Sequence, residues 1–313
     1  MKNTILKVSR QDTIAELSPW FDSQLKKLIA SGGFIQETEL RLTSIKLIED
    51  LVDYRKQSGI DVAVLGVSGG VDSALVAALF KEAGWKVKGL LLPINQDPVE
   101  TERGVEVCDA LEIPFETIDL TSEAQLLSDR LVHINPMTDD EKIRTGNIRA
   151  RLRMITLYNV AHAERGLVAS TDNFSELAAG FWTLHGDVGD LSPIQSLWKS
   201  WEVPVIAKMM GVPESVYTAK PTDGLGINDG DEAQFGCSYL EWDIMLMSFM
   251  NKDTAISDRR SADVYDKVEK RMSRTAFKRY NPAYLEAVPG RFESLAKLDS
   301  IWTPSVLKGQ NND

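Results

Sequence analysis

Residues 61–73 read DVAVLGVSGGVDS, an apolar stretch that runs into a glycine turn, and the helical pattern ALVAAL follows directly. Gly69 and Gly70 allow the backbone to turn so that its N–H groups converge, and the helix adds the positive end of its dipole. This arrangement favours binding of an anion. A simple capped turn between strand and helix is the alternative for a lone glycine pair, and the SGGVDS context argues against it.

The side chains of the turn indicate which anion it binds. Ser68 and Ser73 can donate hydroxyl hydrogen bonds to phosphate oxygens. Asp72 would be repelled by bare phosphate, so its presence predicts a Mg²⁺ ion beside the ligand. No Lys follows the glycines, which excludes the GxxxxGK(S/T) loop of kinases and GTPases. The residues predicted to hold this phosphate ligand are Gly66, Val67, Ser68, Gly69, Gly70, Val71, Asp72 and Ser73.

Strand and helix patterns alternate on both sides of this turn. Almost continuously apolar stretches predict strands at 61–67, 85–92, 115–120 and 167–170. Helical spacing predicts helices at 37–57, 73–83, 99–111 and 147–165. Together they predict an α/β fold with a doubly wound, mostly parallel sheet, helices on both faces and ligands at the carboxyl ends of the strands. After Pro193 the pattern predicts a helical C-terminal part, with a last helix over 257–274.

Composition and charge narrow the class of protein. Hydrophobic residues make up 43% of the chain and charged residues 26%, and no apolar run approaches the roughly 18 residues that cross a membrane. The N-terminus lacks an apolar signal segment, so we expect a cytosolic location. Cys108 and Cys237 lie far apart and predict neither a disulfide framework nor a zinc site. A net charge of -11 disfavours nucleic acid as a partner and favours a small substrate.

Two polar stretches are predicted to be loops that cover a site. Residues 132–146 are polar and include Pro136, and residues 219–231 read AKPTDGLGINDGD. Their Gly, Pro and Asp content disfavours regular structure. Loops of this length inside a compact domain often act as lids.

The chain resembles the NAD synthetase family in four linked blocks. Residues 68–73 resemble the PP-loop of the N-type ATP pyrophosphatases, and TGNIRARLRM (145–154), TDNFSE (171–176) and the stretch from GD to Lys199 follow in the family's order. The resemblance covers about residues 40–282. It implies an adenine nucleotide alpha hydrolase-like fold, a family domain over 37–290, an N-terminal extension over 1–36 and a tail over 291–313.

The resemblance also implies an activity. Family members use Mg-ATP to adenylylate the carboxylate of deamido-NAD, and ammonia then displaces AMP to form NAD. Only 67 residues precede the PP-loop, too few for the amidase domain of glutamine-dependent relatives, so we expect free ammonia, or ammonia from a separate partner, as the nitrogen source. We also expect a homodimer with the dinucleotide site at the interface, and no membrane or nucleic-acid partner.

Further site residues follow from the same resemblance. Arg151 and Arg153 are two positions apart on a predicted helix, so only one of them can face a ligand, and the family match selects Arg151. Glu176 is expected to share the metal with Asp72. The remaining ATP contacts are Thr171, Lys199 and Thr222. The expected catalytic residues are Asp72, Glu176, Asp187 and Lys199, and the expected substrate contacts are Asn147, His185, Asp190, Phe277 and Lys278.

Several of these residue types have simpler explanations. A surface position is the alternative for Glu176 and for a single Lys such as Lys199, and a turn is the alternative for Asp187 and Asp190. His185 has a capping or packing role as its alternative.

The resemblance is weaker where the family holds its acceptor. Leu184 stands where members commonly have Lys, and Phe277 stands where they have His. Another PP-loop enzyme that adenylylates and amidates a different small carboxylate therefore remains an alternative. A tRNA-modifying adenylase or a non-catalytic nucleotide sensor is less favoured, because the chain is acidic and retains Asp72 and Lys199.

Overall fold

The computed structural model describes residues 1–132, 141–222 and 230–280. Four strands lie in this part of the chain: Val62–Gly66 (β1), Lys86–Leu91 (β2), Phe115–Thr117 (β3) and Leu167–Val168 (β4). The helices are Lys2–Val8 (α1), Gln11–Ile14 (α2), Pro19–Ala30 (α3), Glu37–Ser58 (α4), Val71–Glu82 (α5), Pro98–Ala110 (α6), Thr121–Val132 (α7), Glu141–Ala163 (α8), Phe174–Ala179 (α9), Glu202–Met209 (α10), Glu214–Tyr217 (α11), Asp231–Phe235 (α12), Tyr239–Met250 (α13) and Arg259–Thr275 (α14), followed by a 3-10 helix at Ala276–Tyr280.

The four strands form one parallel sheet in the order β3-β2-β1-β4. Val64 in the middle of β1 pairs with Lys88 of β2 on one side and with Val168 of β4 on the other. The chain therefore leaves β1 toward one edge of the sheet and later returns to its other side. In open α/β sheets this switch point forms a crevice at the carboxyl ends of the strands, and here those ends belong to β1 and β4.

Both faces of the sheet are covered by helices. Ala63 and Leu65 of β1 belong to the apolar cluster that α4, α5, α6 and α10 build on one face. Val64 points to the opposite face and packs in a second cluster with Met154 and Leu157 of α8. Alternation along a strand that is buried on both faces explains its unbroken apolar sequence. The predicted doubly wound parallel fold is confirmed.

Both ends of α4 follow recognisable sequence signals. Gln36 and Glu39 form a capping box at the start of α4, and Gly59 ends that helix with φ at 70°.

The predicted loop over 132–146 is partly wrong, because α8 begins at residue 141 and includes Gly146. The rest of that loop, and residues 223–229 of the second predicted loop, lie outside the described residues, as do 281–313.

The first 36 residues pack onto the domain as three helices. Phe21 and Phe34 are fully buried in the larger apolar cluster. The Trp20 indole donates a hydrogen bond to Ala255 O at 2.8 Å, and the Trp201 indole donates to Ile35 O at 2.7 Å. The segment therefore supports α13 and the start of α10 from behind.

Two expectations from composition can be compared with the fold. Cys108 and Cys237 are free and buried, which agrees with the expected lack of a disulfide framework. Among the described helices, none combines the length and the apolar character that a membrane crossing requires.

Candidate active site

A cavity of about 540 Å³ opens at the carboxyl ends of β1 and β4. Most of the residues predicted from the sequence line it, although they come from distant parts of the chain. They are residues 66–73, Asn147, Thr171, Glu176, Asp187, Lys199, Thr222, Phe277 and Lys278. Arg151, His185 and Asp190 do not line it. The cavity therefore has a PP-loop end, built around residues 68–73, and an acceptor end, built around Asp187 and Lys278.

The PP-loop is shaped by close contacts that only glycine allows. Gly69 has φ at +81°, and a Cβ atom placed there would lie 2.2 Å from the carbonyl oxygen of Glu100. The Ser73 hydroxyl donates to Gly70 O at 3.0 Å and accepts a bond from the Ser68 amide at 3.3 Å. These bonds hold the loop open at the N-terminus of α5, as an anion site requires.

A compact ionic cluster occupies the PP-loop end. The Lys199 ammonium binds a carboxylate oxygen of Asp72 and lies 3.9 Å from Glu176 Oε1. Asn173 Nδ2 donates to the other oxygen of Asp72 at 3.0 Å. The side chains of Lys199, Asp72 and Glu176 are only 8%, 15% and 15% exposed. Ion pairs screened from water to this degree interact far more strongly than pairs at the surface.

Three segments meet to build this cluster. Asp72 lies in the first turn of α5, directly after β1. Asn173 caps α9, directly after β4, and its side chain and that of Glu176 form a capping box. Lys199 is fixed by its backbone N–H, which donates to Ser175 Oγ at 3.0 Å. Because β1 and β4 are neighbours, both carboxylates lie beside Lys199, and the metal ion that they are expected to share stays a prediction.

The ionic cluster shifts the pKa values of its members. Burial raises the pKa of Glu176 well above its usual value, and the neighbouring Asp72 adds to this, while Lys199 opposes it. Burial lowers the pKa of Lys199, but the carboxylates of Asp72 and Glu176 outweigh it, so the net shift is upward. Burial raises the pKa of Asp172 to about 6. The raised pKa of Lys199 keeps its ammonium group charged.

Two residues that the sequence analysis did not select stand behind this cluster. The Tyr239 hydroxyl donates to Asp231 Oδ2 at 3.1 Å and lies 3.4 Å from Glu176 Oε1. The Lys199 ammonium lies 5.6 Å from the centre of the Tyr239 ring. Burial raises the pKa of Tyr239 well above its usual value, so its hydroxyl keeps its proton. Asp231 and Tyr239 begin α12 and α13, and only tertiary packing brings them to Glu176.

Asp187 dominates the acceptor end of the cavity. Its two carboxylate oxygens accept the Thr183 N–H at 2.9 and 3.1 Å, and the Thr183 hydroxyl donates to Asn147 at 2.8 Å. Burial, with a contribution from Asp172, raises the pKa of Asp187 to about 8. The group is therefore a protonated carboxylic acid at neutral pH and becomes a base just above it.

Two other predicted residues lie at this end: Lys278 is hydrogen-bonded to backbone carbonyls, and Phe277 is exposed. The Lys278 ammonium donates to Gly180 O at 2.8 Å and also to Trp182 O. Phe277 lines the cavity with its ring 61% exposed. At the opposite rim the Thr222 hydroxyl donates to Glu100 at 2.6 Å.

Three residues that were predicted to contact a ligand do not line the cavity. Arg151 Nε donates to Leu184 O at 3.2 Å, whereas Arg153 is the arginine of that pair that lines the cavity. Asp190 accepts the Tyr158 hydroxyl at 2.7 Å and the Val168 N–H at 2.8 Å. His185 is exposed, with a left-handed φ of 59°. Their assigned ligand contacts stay predictions.

A metal ion at the PP-loop end would need oxygen ligands, and the carboxylates of Asp72 and Glu176 are the candidates. In residues 1–132, 141–222 and 230–280, no group of three or more His, Cys, Asp and Glu side chains is arranged to hold a metal. Asp72 and Glu176 are two carboxylates that already share a cation, the Lys199 ammonium. Mg²⁺ is typically bound by one or two carboxylates together with substrate phosphates and water, so this pair has the chemistry that such a site needs.

Comparison with known proteins identifies the family of this chain. A family model described as NAD synthase matches residues 44–282. The NH(3)-dependent NAD(+) synthetase of Alkaliphilus oremlandii is 37% identical over 223 residues, which is 68% of this chain and 89% of the relative.

Solved structures give the same result. The NMN synthetase of Francisella tularensis superposes with a TM-score of 0.68 at 28% identity, covering 80% of this chain and 98% of that one. The NH3-dependent NAD synthetase of Campylobacter jejuni, solved with a nitrate ion, gives 0.63 at 29% identity and covers 79% and 99%. The range matched by the family model includes the PP-loop, Glu176 and Lys199, and the chain belongs to the NAD synthase family.

Proposed function

We propose that this chain catalyses the ATP-dependent amidation of deamido-NAD with ammonia, which yields NAD, AMP and pyrophosphate. The observation that carries the proposal is the PP-loop with the buried Asp72, Lys199 and Glu176 cluster at the carboxyl ends of β1 and β4. The names of the curated relatives support the same reaction.

In the first step a carboxylate oxygen of the acceptor attacks the α-phosphorus of ATP, and the bond to pyrophosphate breaks. The leaving group gains negative charge as it departs. The PP-loop amides, the Ser68 hydroxyl and the Lys199 ammonium line the cavity where that charge develops. Fixed donors and cations aimed at developing charge lower the barrier without reorganisation.

A Mg²⁺ ion is part of the proposal. Asp72 and Glu176 would hold it, because they are two largely buried carboxylates with a single ammonium between them. When bound, such an ion neutralises phosphate charge and orients the leaving group. Asn173 holds Asp72 in place through its 3.0 Å hydrogen bond.

In the second step ammonia attacks the acyl carbon, AMP leaves, and the attacking nitrogen loses a proton. Asp187 is the candidate to accept that proton, since it lines the acceptor end of the cavity. Its pKa of about 8 is close to the range in which a general base works efficiently. The Thr183 amide fixes its orientation.

The test is incubation with Mg-ATP, deamido-NAD and either ammonium or glutamine, following AMP and NAD together. We expect equal amounts of AMP and NAD with ammonium alone. No AMP release with deamido-NAD, or a strict need for glutamine, would contradict the proposal.

A second candidate acceptor is nicotinate mononucleotide, which amidation converts to NMN. The likeness to the Francisella NMN synthetase favours it, as do Leu184 and Phe277 at positions where the family commonly has Lys and His. Comparison of kcat/KM for the two acceptors at saturating ATP separates the candidates. A larger value for the mononucleotide would make this second activity the main one.

We also propose that the active form is a homodimer working in the cytosol. Exposed apolar side chains on the adjacent helices α7 and α8, among them Leu126, Ile155 and Tyr158, give a surface that a second copy could cover. A site shared between subunits would explain why His185 and Asp190 do not line the chain's own cavity. Light scattering tests the state: Ile155→Asp should give monomers, and a monomeric wild type would refute it.

A further inference from the structure

Arg103 is a cavity-lining cation that belongs to none of the interactions described above. It lies in α6 and lines the cavity beside Glu100 and the PP-loop. Its Nε atom is buried and has no hydrogen-bond partner. Within the described residues its guanidinium makes no hydrogen bond and no ion pair. A buried guanidinium nitrogen is normally hydrogen-bonded, so the Nε of Arg103 is available for an acceptor that the described residues do not supply.

The backbone of Arg103 is fixed against the phosphate-binding loop. A Cβ atom on Gly69 would lie 3.2 Å from Arg103 Cβ and 2.2 Å from Glu100 O. A Cβ atom on Gly104 would lie 3.1 Å from Val67 O. Both glycines therefore allow α6 to press directly onto the loop. This packing places the side chain of Arg103 in the cavity beside the loop that is proposed to bind an anion.

Three other cationic side chains that line the cavity already have hydrogen-bond or ion-pair partners. Lys199 binds Asp72 and lies beside Glu176. Arg153 Nε donates to Leu92 O at 3.0 Å, and Lys278 donates to two carbonyl oxygens. Arg103 can donate hydrogen bonds to a ligand oxygen without breaking any bond recorded for it, whereas each of these three would have to give one up.

We infer that Arg103 binds a phosphate oxygen of ATP at the PP-loop and keeps that contact in the pyrophosphate product. The ligand is the one named in the proposed function, so the inference rests on that function for its identity. The chemistry is general: a planar guanidinium suits a phosphate group through charge-assisted, often bidentate, hydrogen bonds.

The test compares Arg103→Met with Arg103→Lys and with Arg41→Met, which removes the same charge from an exposed position of α4. Calorimetry measures binding of Mg-ATP and of Mg-pyrophosphate, and thermal unfolding is followed without ligand. Arg103→Met should weaken both ligands by about 10- to 100-fold, as expected when a hydrogen bond to a charged group is lost. The lysine variant should fall between the methionine variant and the wild type, and Arg41→Met should match the wild type.

Unfolding separates a ligand contact from a structural role. Removing a buried donor without a partner should leave the melting temperature of the free protein unchanged or raise it. A lower melting temperature with unchanged ligand affinity would overturn the inference. Unchanged binding of both phosphate ligands with a raised KM for the acceptor would overturn it as well. Failure of the wild type to bind Mg-ATP would instead refute the proposed function, while Mg-pyrophosphate would still report on Arg103.

Discussion

The PP-loop end and the acceptor end of the cavity differ in how many of their predicted residues this chain brings into the cavity and holds in place. At the PP-loop end, Asp72, Asn173, Glu176 and Lys199 come from three segments and hold one another in a buried cluster. At the acceptor end, Phe277 stays exposed. His185 and Asp190, which were predicted to bind the acceptor, do not line the cavity at all.

This difference indicates which part of the activity one chain specifies by itself. In the proposed reaction, ATP would be bound by a network in which each member restricts the next. The choice of acceptor would depend on side chains outside that network. We therefore expect substitutions at the PP-loop end to remove turnover, and substitutions of exposed residues at the acceptor end to shift substrate preference.

The largest effect should come from Asp72→Asn. The change removes one of the two carboxylates proposed to hold Mg²⁺ and weakens the partner of Lys199. We expect AMP release to fall by about 1000-fold or more, since several stabilising contacts to the leaving group depend on this residue. Steady-state AMP assays measure it, with Asp53→Asn on the exposed face of α4 as the control. Retention of a tenth of the activity would break the contrast between the two ends.

Lys199→Met should come next, with a loss of about 100-fold in kcat. It should also lower the free energy of unfolding by about 3 kcal/mol, because the buried carboxylates of Asp72 and Glu176 lose their cation. Denaturant unfolding measures the second effect. Lys208→Met, at an exposed position of the neighbouring helix α10, should change neither quantity. Full stability of Lys199→Met would show that the cluster does not hold the site together.

Asp187→Asn should change the dependence on pH. At a constant concentration of free ammonia, wild-type kcat/KM should rise as the pH passes about 8, because the carboxylate form accepts the proton. The variant should lack this rise and be about 10-fold slower at pH 9. Equal pH profiles would remove Asp187 from the second step.

The same residue makes a prediction for stability. Its folded pKa of about 8 lies above the usual 3.8, so between these values the folded protein keeps a proton that the unfolded chain has lost. The contribution of Asp187 to stability must therefore fall as the pH rises through this window. Unfolding curves of Asp187→Asn should lose that part of the pH dependence, and an unchanged slope would contradict the raised pKa.

The smallest effect should come from Phe277→His. The ring is 61% exposed and lies at the acceptor end, so we expect a change of about 2- to 5-fold in KM for the acceptor. The KM for ATP should not change. Leu42→His, at a position of α4 that is 66% exposed, is the matched control. A large drop in kcat would show that the acceptor end is as rigidly specified as the PP-loop end.

The sequence placed Asp72 and Glu176 in one predicted site, and the order of the strands explains why they lie close together. SGGVDS comes after β1 and TDNFSE after β4, so the parallel sheet alone brings Asp72 and Glu176 together. Lys199 could be selected only through the family resemblance. Its burial beside both carboxylates depends on the segment that leads into α10.

Other features could not be predicted because they depend on long-range packing. Tyr239 and Asp231 reach Glu176 only when α13 packs behind α9. The choice between Arg151 and Arg153 depends on the rotation of α8 about its axis, which a spacing of two residues does not fix. Residues 1–36 carry no motif, and the hydrogen bond from Trp20 to Ala255 spans more than 200 positions in the chain.

The central claim is that the PP-loop end directs attack on the α-phosphorus of ATP by the acceptor's carboxylate. Turnover with deamido-NAD labelled with oxygen-18 in that carboxylate tests it, with mass analysis of the products. One labelled oxygen should appear in AMP and none in pyrophosphate, because the acyl oxygen leaves with AMP when ammonia attacks. Unlabelled AMP, or label in inorganic phosphate with formation of ADP, would contradict the account.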